Sequence, residues 1–304
     1  GNIFHPTDWL DIIFNPSFPY RLAHMVTAAY LTTAFVVGGV GAFYLWNKRH
    51  ISHARIMLGM AVALITIFSP IQLMIGHEHG KNTMEYQPVK VAAMEGNWDK
   101  SDSVPLYLFG WPNQKEEKTQ YGITVPGGAS WVLTGSTTGR VPTLKSFPKT
   151  DRPFVAIVFW SFRVMVGLGV LMIFISLISA VQYLRGRLFE SKFLQLGWML
   201  MMPSGFIALL AGWFVTEAGR QPWVTYGVLR TATSVSPAII GPQVAVSLLA
   251  FVVIYSLVFG AGSYYILKLI SKGMSDKADD EQYYKHGIEA VILEASDSKG
   301  GDHV

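Results

Sequence analysis

Long runs of apolar residues, separated by polar segments, dominate this chain. Five runs are long enough to cross a bilayer, which takes roughly 20 mostly apolar residues. A helix that spans lipid forms all its backbone hydrogen bonds internally, so each run is predicted to be an α-helix. The predicted spans cover residues 21–46, 54–76, 154–184, 193–216 and 238–270.

Basic residues are distributed unevenly around these spans and predict their orientation. If every span crosses once, the segments after the first, third and fifth spans lie on one side. Their basic residues make that side cytoplasmic. The N-terminus and the long segment 77–153 then face outward. The basic residues concerned are Lys48, Arg49, Arg55, Arg185, Arg187, Lys192, Lys268, Lys272 and Lys277.

The pattern therefore predicts an all-α membrane protein with five transmembrane helices and one outer loop between helices two and three. Within that loop, residues 85–98 are predicted to form an amphipathic helix. The predicted segments are 1–20, an interfacial segment with a short helix; 21–76, helices one and two; 77–153, the extracytoplasmic loop; 154–270, helices three to five; and 271–304, a cytoplasmic tail with a weak helical pattern at 283–293.

Composition excludes a soluble globule, because 51% of the residues are hydrophobic and only 14% are charged, against about 25% charged in average soluble chains. The net charge of +4 suits contact with membrane lipid on the cytoplasmic side and predicts no binding to nucleic acid. The absence of cysteine excludes thiolate ligands and thioether attachment of haem. The chain begins with Gly1 and has no initiator Met, as expected of a fragment or a processed chain.

Ionisable residues inside membrane spans are costly, so they are candidates for function. His24 lies about one turn into the first span, and Arg163 and Met165 lie in the outer half of the third. His24 and Met165 would serve as two axial ligands of a low-spin haem b, with Arg163 beside a haem propionate. The plainer interpretation makes His24 an interfacial hydrogen-bonding residue and Met165 a packing residue.

The end of the fourth span carries a second group of polar and aromatic residues. Glu217 is a candidate carboxylate ligand for a high-spin iron, with Trp213 one turn before it and Arg220 three residues after it. The alternative is that Glu217 and Arg220 form an ion pair at a helix end.

The outer loop contains two further candidates, Lys90 and Glu95. They belong either to a solvated amphipathic helix or to a quinol-binding site beside the haem helices. His77, Glu78 and His79 cluster in sequence, but histidines two residues apart do not share a helix face. A solvated helix end is therefore favoured over a metal site there.

Four strings together resemble subunit I of cytochrome bd-type quinol oxidases, in the order and spacing of that family. The similarity covers residues 15–270, and the short outer loop resembles the short-Q-loop, cyanide-insensitive branch. The strings are NPSFPYRLAHMVTAAYLTTAF (15–35), MEYQPVKVAAMEGNW (84–98), FWSFRVMVGLG (159–169) and AGWFVTEAGRQPW (211–223).

The resemblance implies roles for individual residues. His24 and Met165 match the axial ligands of a low-spin haem b, and Glu217 matches the ligand of a high-spin haem b. The third haem of the family is either haem d or another haem b. The other matches are Arg163, which supports the low-spin haem; Lys90 and Glu95, the quinol-oxidising pair; and Trp213, which lies between haems.

The resemblance also implies an activity, namely oxidation of quinol at the periplasmic face of a bacterial cytoplasmic membrane and reduction of oxygen to water. A second oxidase subunit is implied as a partner. The family subunit typically has nine spans, and this chain resembles the last five. The first four helices, with a further haem ligand and a proton path, are therefore expected from outside this sequence, either because it is truncated or because another chain supplies them.

Two other functions remain open from the residues alone. A non-catalytic cytochrome b membrane anchor would hold one low-spin haem through His24 and Met165. A secondary transporter would use Arg163, Glu217 and Arg220 as an ion site, although such folds usually show internal repeats and none is visible here.

Overall fold

The structure is a computed structural model that describes residues 8–236 and 238–273, and it is mostly helical. A loop domain between the second and third membrane helices, which contains a short helix and a β-hairpin, interrupts the helices of the membrane part. The elements are α1 (Trp9–Ile13), α2 (Phe18–Trp46), α3 (Ile51–Tyr86), α4 (Pro88–Glu95), β1 (Leu106–Asn113), β2 (Lys118–Val125), α5 (Gly128–Thr134), α6 (Val155–Leu184), α7 (Lys192–Met201), α8 (Ser204–Arg220), β3 (Trp223–Thr225), β4 (Leu229–Arg230) and α9 (Gly241–Lys272).

The five predicted membrane spans are confirmed as helices of sufficient length and apolarity: α2, α3, α6, α7 with α8, and α9. The second helix runs to Tyr86, ten residues beyond the predicted end, and stops just before Pro88. Proline disfavours helical backbone in the residue before it and has no N–H to donate. The polar residues from 77 onward changed the composition of the helix without ending it.

The sequence pattern had suggested one continuous helix for the fourth span, but the span is broken. It is divided into α7 and α8 at Met202 and Pro203. Pro203 again explains the break, because it cannot donate a hydrogen bond to the preceding turn. The Ser204 hydroxyl, at the start of α8, donates to the Met201 carbonyl at 2.5 Å and so satisfies one acceptor that the break leaves open.

The loop between α3 and α6 is more ordered than its sequence pattern indicated. The predicted helix 85–98 is shorter, residues 88–95, and it is buried, so the expectation of a solvated amphipathic helix was wrong. The strands β1 and β2 form an antiparallel hairpin that the pattern analysis did not predict. The periodicity was hard to read there because two register shifts interrupt the alternation of β1.

The predictions for the two ends of the chain can be compared with the structure only in part. The short helix α1 (Trp9–Ile13) lies in the predicted interfacial segment, but residues 1–7 are outside the described part of the chain. Most of the predicted cytoplasmic tail, 274–304 with its weak helix at 283–293, is also outside it. Helix α9 contributes no buried residue among those described, and the Tyr44 hydroxyl of α2 donates to its Ile270 carbonyl at 2.8 Å.

The centre of the membrane part is packed around Trp198 of α7. Its indole is fully buried, lies 5.2 Å from the Phe35 ring between centroids, and donates through Nε1 to the Ser179 hydroxyl at 3.0 Å. Gly38 of α2 makes this approach feasible, because a Cβ there would overlap the Trp198 ring and come within 2.8 Å of the Ala61 Cβ. The contact joins α2, α3 and α7.

We expect Gly38→Ala to lower the stability of the detergent-solubilised protein by about 1–3 kcal/mol, because overpacking a rigid core costs that much. A change from glycine to alanine inside a helix would otherwise stabilise it. The measurement is the apparent melting temperature. Gly59→Ala is the matched control, since its Cβ would lie 3.9 Å from the nearest atom, Tyr183 Cε2. Equal melting temperatures for the two variants would contradict the packing described here.

Candidate functional site

The short helix α4 carries two ionisable side chains into the protein interior. Proline at its first position and Gly96 in the left-handed region (φ 66°) at its end delimit it. It packs against α3, α6 and α8, at the end of the bundle where α3 finishes and α6 begins. Lys90 and Glu95 are each only 4% exposed. Five residues apart on a helix, they point in different directions.

Glu95 lies beside Arg163 of α6. Burial raises the pKa of the Glu95 carboxyl to about 7, and the positive charge of Arg163 opposes that rise in part. Its Oε2 atom is buried and has no hydrogen-bond partner among the described residues. A carboxyl with a pKa near neutrality and an unused acceptor is suited to taking up and releasing a proton.

The guanidinium of Arg163 is held mainly by backbone carbonyls. It donates to Met94 at 2.7 Å, to Tyr107 at 3.0 Å and to Phe159 at 3.1 Å, and it stacks on the Phe159 ring at 3.3 Å from the centroid. These contacts tie α6 to the end of α4 and to β1. They explain how a charged side chain is accommodated in the first half of a membrane helix. Its Nη2 atom is buried and unpaired among the described residues.

Lys90 points to the end of α8. Burial lowers the pKa of the Lys90 amine to about 8, and the positive charges of Arg21 and Arg220 lower it further, while Glu217 raises it. Its aliphatic stem lies against Gly219, where an added Cβ would come within 2.8 Å of the Lys90 Cγ. Glycine at that position is therefore required for the lysine to lie along α8.

Glu217 and Arg220 form an ion pair at the end of α8, which is the arrangement expected of the plainer interpretation. Arg220 also donates through Nη1 to the Val224 carbonyl at 3.1 Å, and its Nε atom is buried without a partner in the described part of the chain. Trp213 is 59% exposed, and its ring centroid lies 5.6 Å from that of Phe214.

His24 lies at the interface of α2 and α3. Gln72 approaches it from α3, with its amide nitrogen 3.4 Å from the ring Nε2 and donating to the His24 carbonyl at 3.2 Å. The His24 ring also lies edge-on to that of His79, 5.5 Å away between centroids. Gly76 allows the ring to pack closely, since a Cβ there would be 3.2 Å from His24 Cε1.

Met165 lies at a different interface, between α6 and α8. Its sulfur packs so closely on Gly212 that an added Cβ would be 2.9 Å from Sδ. The structure thus brings Glu95 to Arg163, and Lys90 to Glu217 and Arg220. His24 and Met165 are held by separate helix pairs.

His77, Glu78 and His79 are adjacent in sequence, but the helix directs their side chains to different sides. His77 approaches Glu78 at 3.9 Å, whereas the His79 ring turns toward His24. Residues 8–236 and 238–273 contain no group of three or more histidine, cysteine, aspartate or glutamate side chains that could hold a metal ion. All three residues lie within α3, which continues to Tyr86, so the expectation that they form the end of a helix was wrong.

Sequence reasoning missed the residues that shape these surroundings, notably Arg21, Gln72, Gly212 and Gly219. Glycine close to a polar residue on another helix carries no signal in a single sequence, because the partner is distant along the chain. Arg21 could have been found, since it lies only three residues before His24 at the start of the same span.

The donors at this end of the bundle fit a haem. A haem offers an iron that accepts imidazole or thioether ligands and two carboxylates that accept hydrogen bonds from arginine. His24 Nδ1, Arg163 Nη2 and Arg220 Nε are buried and lack hydrogen-bond partners among the described residues. One unused imidazole nitrogen and two arginines with unused donors are the groups that such a cofactor would engage.

Comparison with known proteins agrees with this chemistry. Residues 1–274 match the family model described as cytochrome bd terminal oxidase subunit I. The chain is 27% identical to subunit 1 of the cytochrome bd-II ubiquinol oxidase of Escherichia coli (strain K12), over 92% of this chain and 67% of that protein. It is 32% identical to subunit 1 of the cytochrome bd ubiquinol oxidase of Bacillus subtilis (strain 168), over 88% of this chain and 59% of that protein.

A solved structure agrees as well. The bd oxidase from Geobacillus thermodenitrificans superposes with a TM-score of 0.77 at 28% identity, covering 88% of this chain and 61% of that one. The chain thus spans about three fifths to two thirds of the length of these relatives. By the match over residues 1–274, it belongs to the cytochrome bd terminal oxidase subunit I family.

Proposed function

We propose that this chain is the haem-binding, quinol-oxidising part of a terminal quinol oxidase. The observation that carries the proposal is the buried pair on α4, Lys90 and Glu95. Burying an ionisable group costs free energy, and buried ionisable groups are therefore concentrated at functional sites. Lys90 lies near Glu217, and Glu95 lies near Arg163, in a member of an oxidase family.

Glu95 acts in this proposal as the proton acceptor for a quinol hydroxyl. With a pKa near 7, the carboxylate is present in part at neutral pH and takes a proton readily. Oxidation of one quinol to quinone releases two electrons and two protons. The protons leave toward the loop between α3 and α6, which we propose to be periplasmic on the evidence of the basic residues on the opposite side.

Lys90 orients the quinol through an oxygen atom. Its lowered pKa, about 8, leaves the amine mostly protonated at neutral pH and able to donate hydrogen bonds. Contact with Gly219 holds its stem along α8, so the amine has a defined position relative to Glu217.

The cofactors of this proposal are a low-spin haem b held by His24 and Met165, a high-spin haem b held by Glu217, and a third haem that is either haem d or haem b. When bound, these haems would carry the electrons of the quinol to oxygen, which is reduced to water. Arg163 and Arg220 would donate hydrogen bonds to the carboxylates of bound haems, and Trp213 is proposed to lie near them. Oxygen reduction takes place in an assembly in the bacterial cytoplasmic membrane that includes a second subunit and the remaining helices of the family fold.

We expect Glu95→Gln to lower quinol oxidation by roughly 100-fold or more, the usual contribution of a positioned general base. In the unmodified protein, turnover should rise with pH up to about 7, because only the ionised carboxylate accepts the proton. The measurement is the pH profile of quinol oxidation by the assembled oxidase. Glu85→Gln, which alters an exposed carboxylate near the same end of the bundle, is the control. An unchanged profile in Glu95→Gln would exclude the assigned role.

The same substitution should make the protein more stable above neutral pH. A pKa raised from 4.5 to about 7 means that the stability associated with Glu95 is complete below pH 4.5 and is lost as the pH rises through 7. The loss is on the order of 3 kcal/mol. Glu95→Gln should therefore melt higher than the unmodified protein at pH 8, with a smaller difference at pH 5. A lower melting temperature at both pH values would attribute lost activity to misfolding.

We expect His24→Ala and Met165→Ala to abolish or convert the low-spin haem b signal in reduced-minus-oxidised spectra. Each substitution would remove one proposed iron ligand, and an iron that loses a strong-field ligand would become high-spin. His77→Ala and Met74→Ala are the matched controls, since both alter side chains that are substantially exposed. They should leave the spectrum unchanged.

The spectra also separate the proposed function from its alternatives. Low-spin b bands without any high-spin feature, even in the assembled oxidase, would favour a cytochrome b anchor. An assembled, folded protein without any haem would remove the basis of the proposal and favour a transporter.

A further inference from the structure

The hairpin of β1 and β2 has an unusual distribution of charge. Its ionised side chains are confined to the turn and the adjoining strand end, at Lys115, Glu116, Glu117 and Lys118. The remaining residues of both strands are uncharged. Large apolar or aromatic side chains of both strands are exposed, including Leu108 and Val125. We use the name hairpin face for four others: Phe109 (44%), Trp111 (58%), Tyr121 (83%) and Ile123 (62%).

Three of these side chains, Phe109, Trp111 and Ile123, are placed on one surface by their contacts. Phe109 is paired with Ile123 across the two strands, and residues directly opposite each other in an antiparallel pair lie on the same side. The rings of Phe109 and Trp111 both contact Trp160 of α6, with centroids 5.0 Å and 6.1 Å away. The hairpin face is therefore attached laterally to α6.

The contact with Trp160 sets the depth of the hairpin face. Trp160 is the sixth residue of α6, which begins at Val155. It therefore lies about 7.5 Å along the axis from the start of the helix, at a rise of about 1.5 Å per residue. That position belongs to the second turn of a helix long and apolar enough to cross a membrane. The strands of the hairpin reach the level at which the span itself is apolar.

The exposed surface continues from the hairpin face along α6. Ile157, Val164 and Leu171 are exposed, and together with Trp160 they follow the helical spacing of three, four and seven residues that places side chains on one face. The hairpin face and this apolar stripe are thus parts of one surface, joined at Trp160.

We propose that the hairpin face lies against membrane lipid, in the leaflet on the α4 side, where headgroups meet acyl chains. Tryptophan and tyrosine favour that zone because each has an apolar ring and a polar atom. The exposed charged residues of the turn, Lys115, Glu116 and Lys118, then face water, while Glu117 pairs with Lys149 and Arg152. The partner is identified by its chemistry, since an uncharged, aromatic surface continuous with a membrane helix matches the lipid around that helix.

Lipid contact at this face would bear directly on Glu95. Thr119 of β2 donates to the Gly96 carbonyl at 2.8 Å and accepts from the Trp98 indole at 3.2 Å. Gly96 follows Glu95 directly in the chain. The hairpin therefore connects the membrane surface to the backbone that ends α4.

Site-directed spin labelling tests this proposal cleanly, because the chain contains no cysteine. Ile123→Cys and, separately, Tyr121→Cys would be labelled with a nitroxide in the assembled oxidase, reconstituted into phospholipid nanodiscs. Lys115→Cys in the turn of the same hairpin is the matched control. The signal of the assembly without an introduced cysteine is subtracted. Collision rates with oxygen, which concentrates among acyl chains, and with a water-soluble nickel chelate are measured by electron paramagnetic resonance.

We expect the ratio of oxygen to nickel accessibility to be several-fold higher at positions 121 and 123 than at position 115. High nickel accessibility at all three positions would place the hairpin face in water and overturn the proposal. Low accessibility to both reagents at 121 and 123 would show that a protein surface covers the face, which overturns it equally. The readout does not depend on turnover or on haem content, so it stands apart from the tests of the proposed function.

Discussion

The buried guanidinium of Arg163 is the interaction on which the rest of this end of the molecule depends. It joins a membrane helix to the loop by donating to carbonyls of α4, β1 and α6 itself. Partial carbonyl charges and the Phe159 ring compensate the cation. Glu95, one residue beyond the bound Met94 carbonyl, is thereby held beside a positive charge while keeping an oxygen unpaired.

Lys90 and Glu95 lie on different sides of α4 and therefore have different electrostatic surroundings. Glu95 faces Arg163, and desolvation dominates, so the carboxyl tends to be neutral. Lys90 faces two arginines and Glu217, and both desolvation and like charge work against its protonation. Opposite displacements of the two pKa values toward neutrality suit both groups to proton exchange near neutral pH. The short helix achieves this because five residues rotate the second side chain away from the first.

The sequence offered the candidate site residues but not their arrangement. His24, Arg163 and Glu217 were identifiable because ionisable residues are rare within apolar spans, and the family motifs added Met165, Lys90, Glu95 and Trp213. The burial of Lys90 and Glu95 was not predictable, since the composition of residues 85–98 is equally typical of a solvated helix. The attachment of Arg163 to backbone carbonyls was also unexpected, because any residue can supply a carbonyl and the sequence carries no sign of it.

The sequence by itself determined the five spans, because backbone groups in lipid must be satisfied within a helix and roughly 20 apolar residues are needed to cross. Proline explains the breaks at Pro88 and Pro203 locally, but the hydrophobic pattern did not predict them, and Pro70 lies inside α3 without breaking it. Only the tertiary structure decided which polar side chains meet. Contacts such as Lys90 with Gly219, or Thr119 with Gly96, join residues far apart in the chain. Their existence depends on how helices and hairpin pack, and no local pattern encodes that.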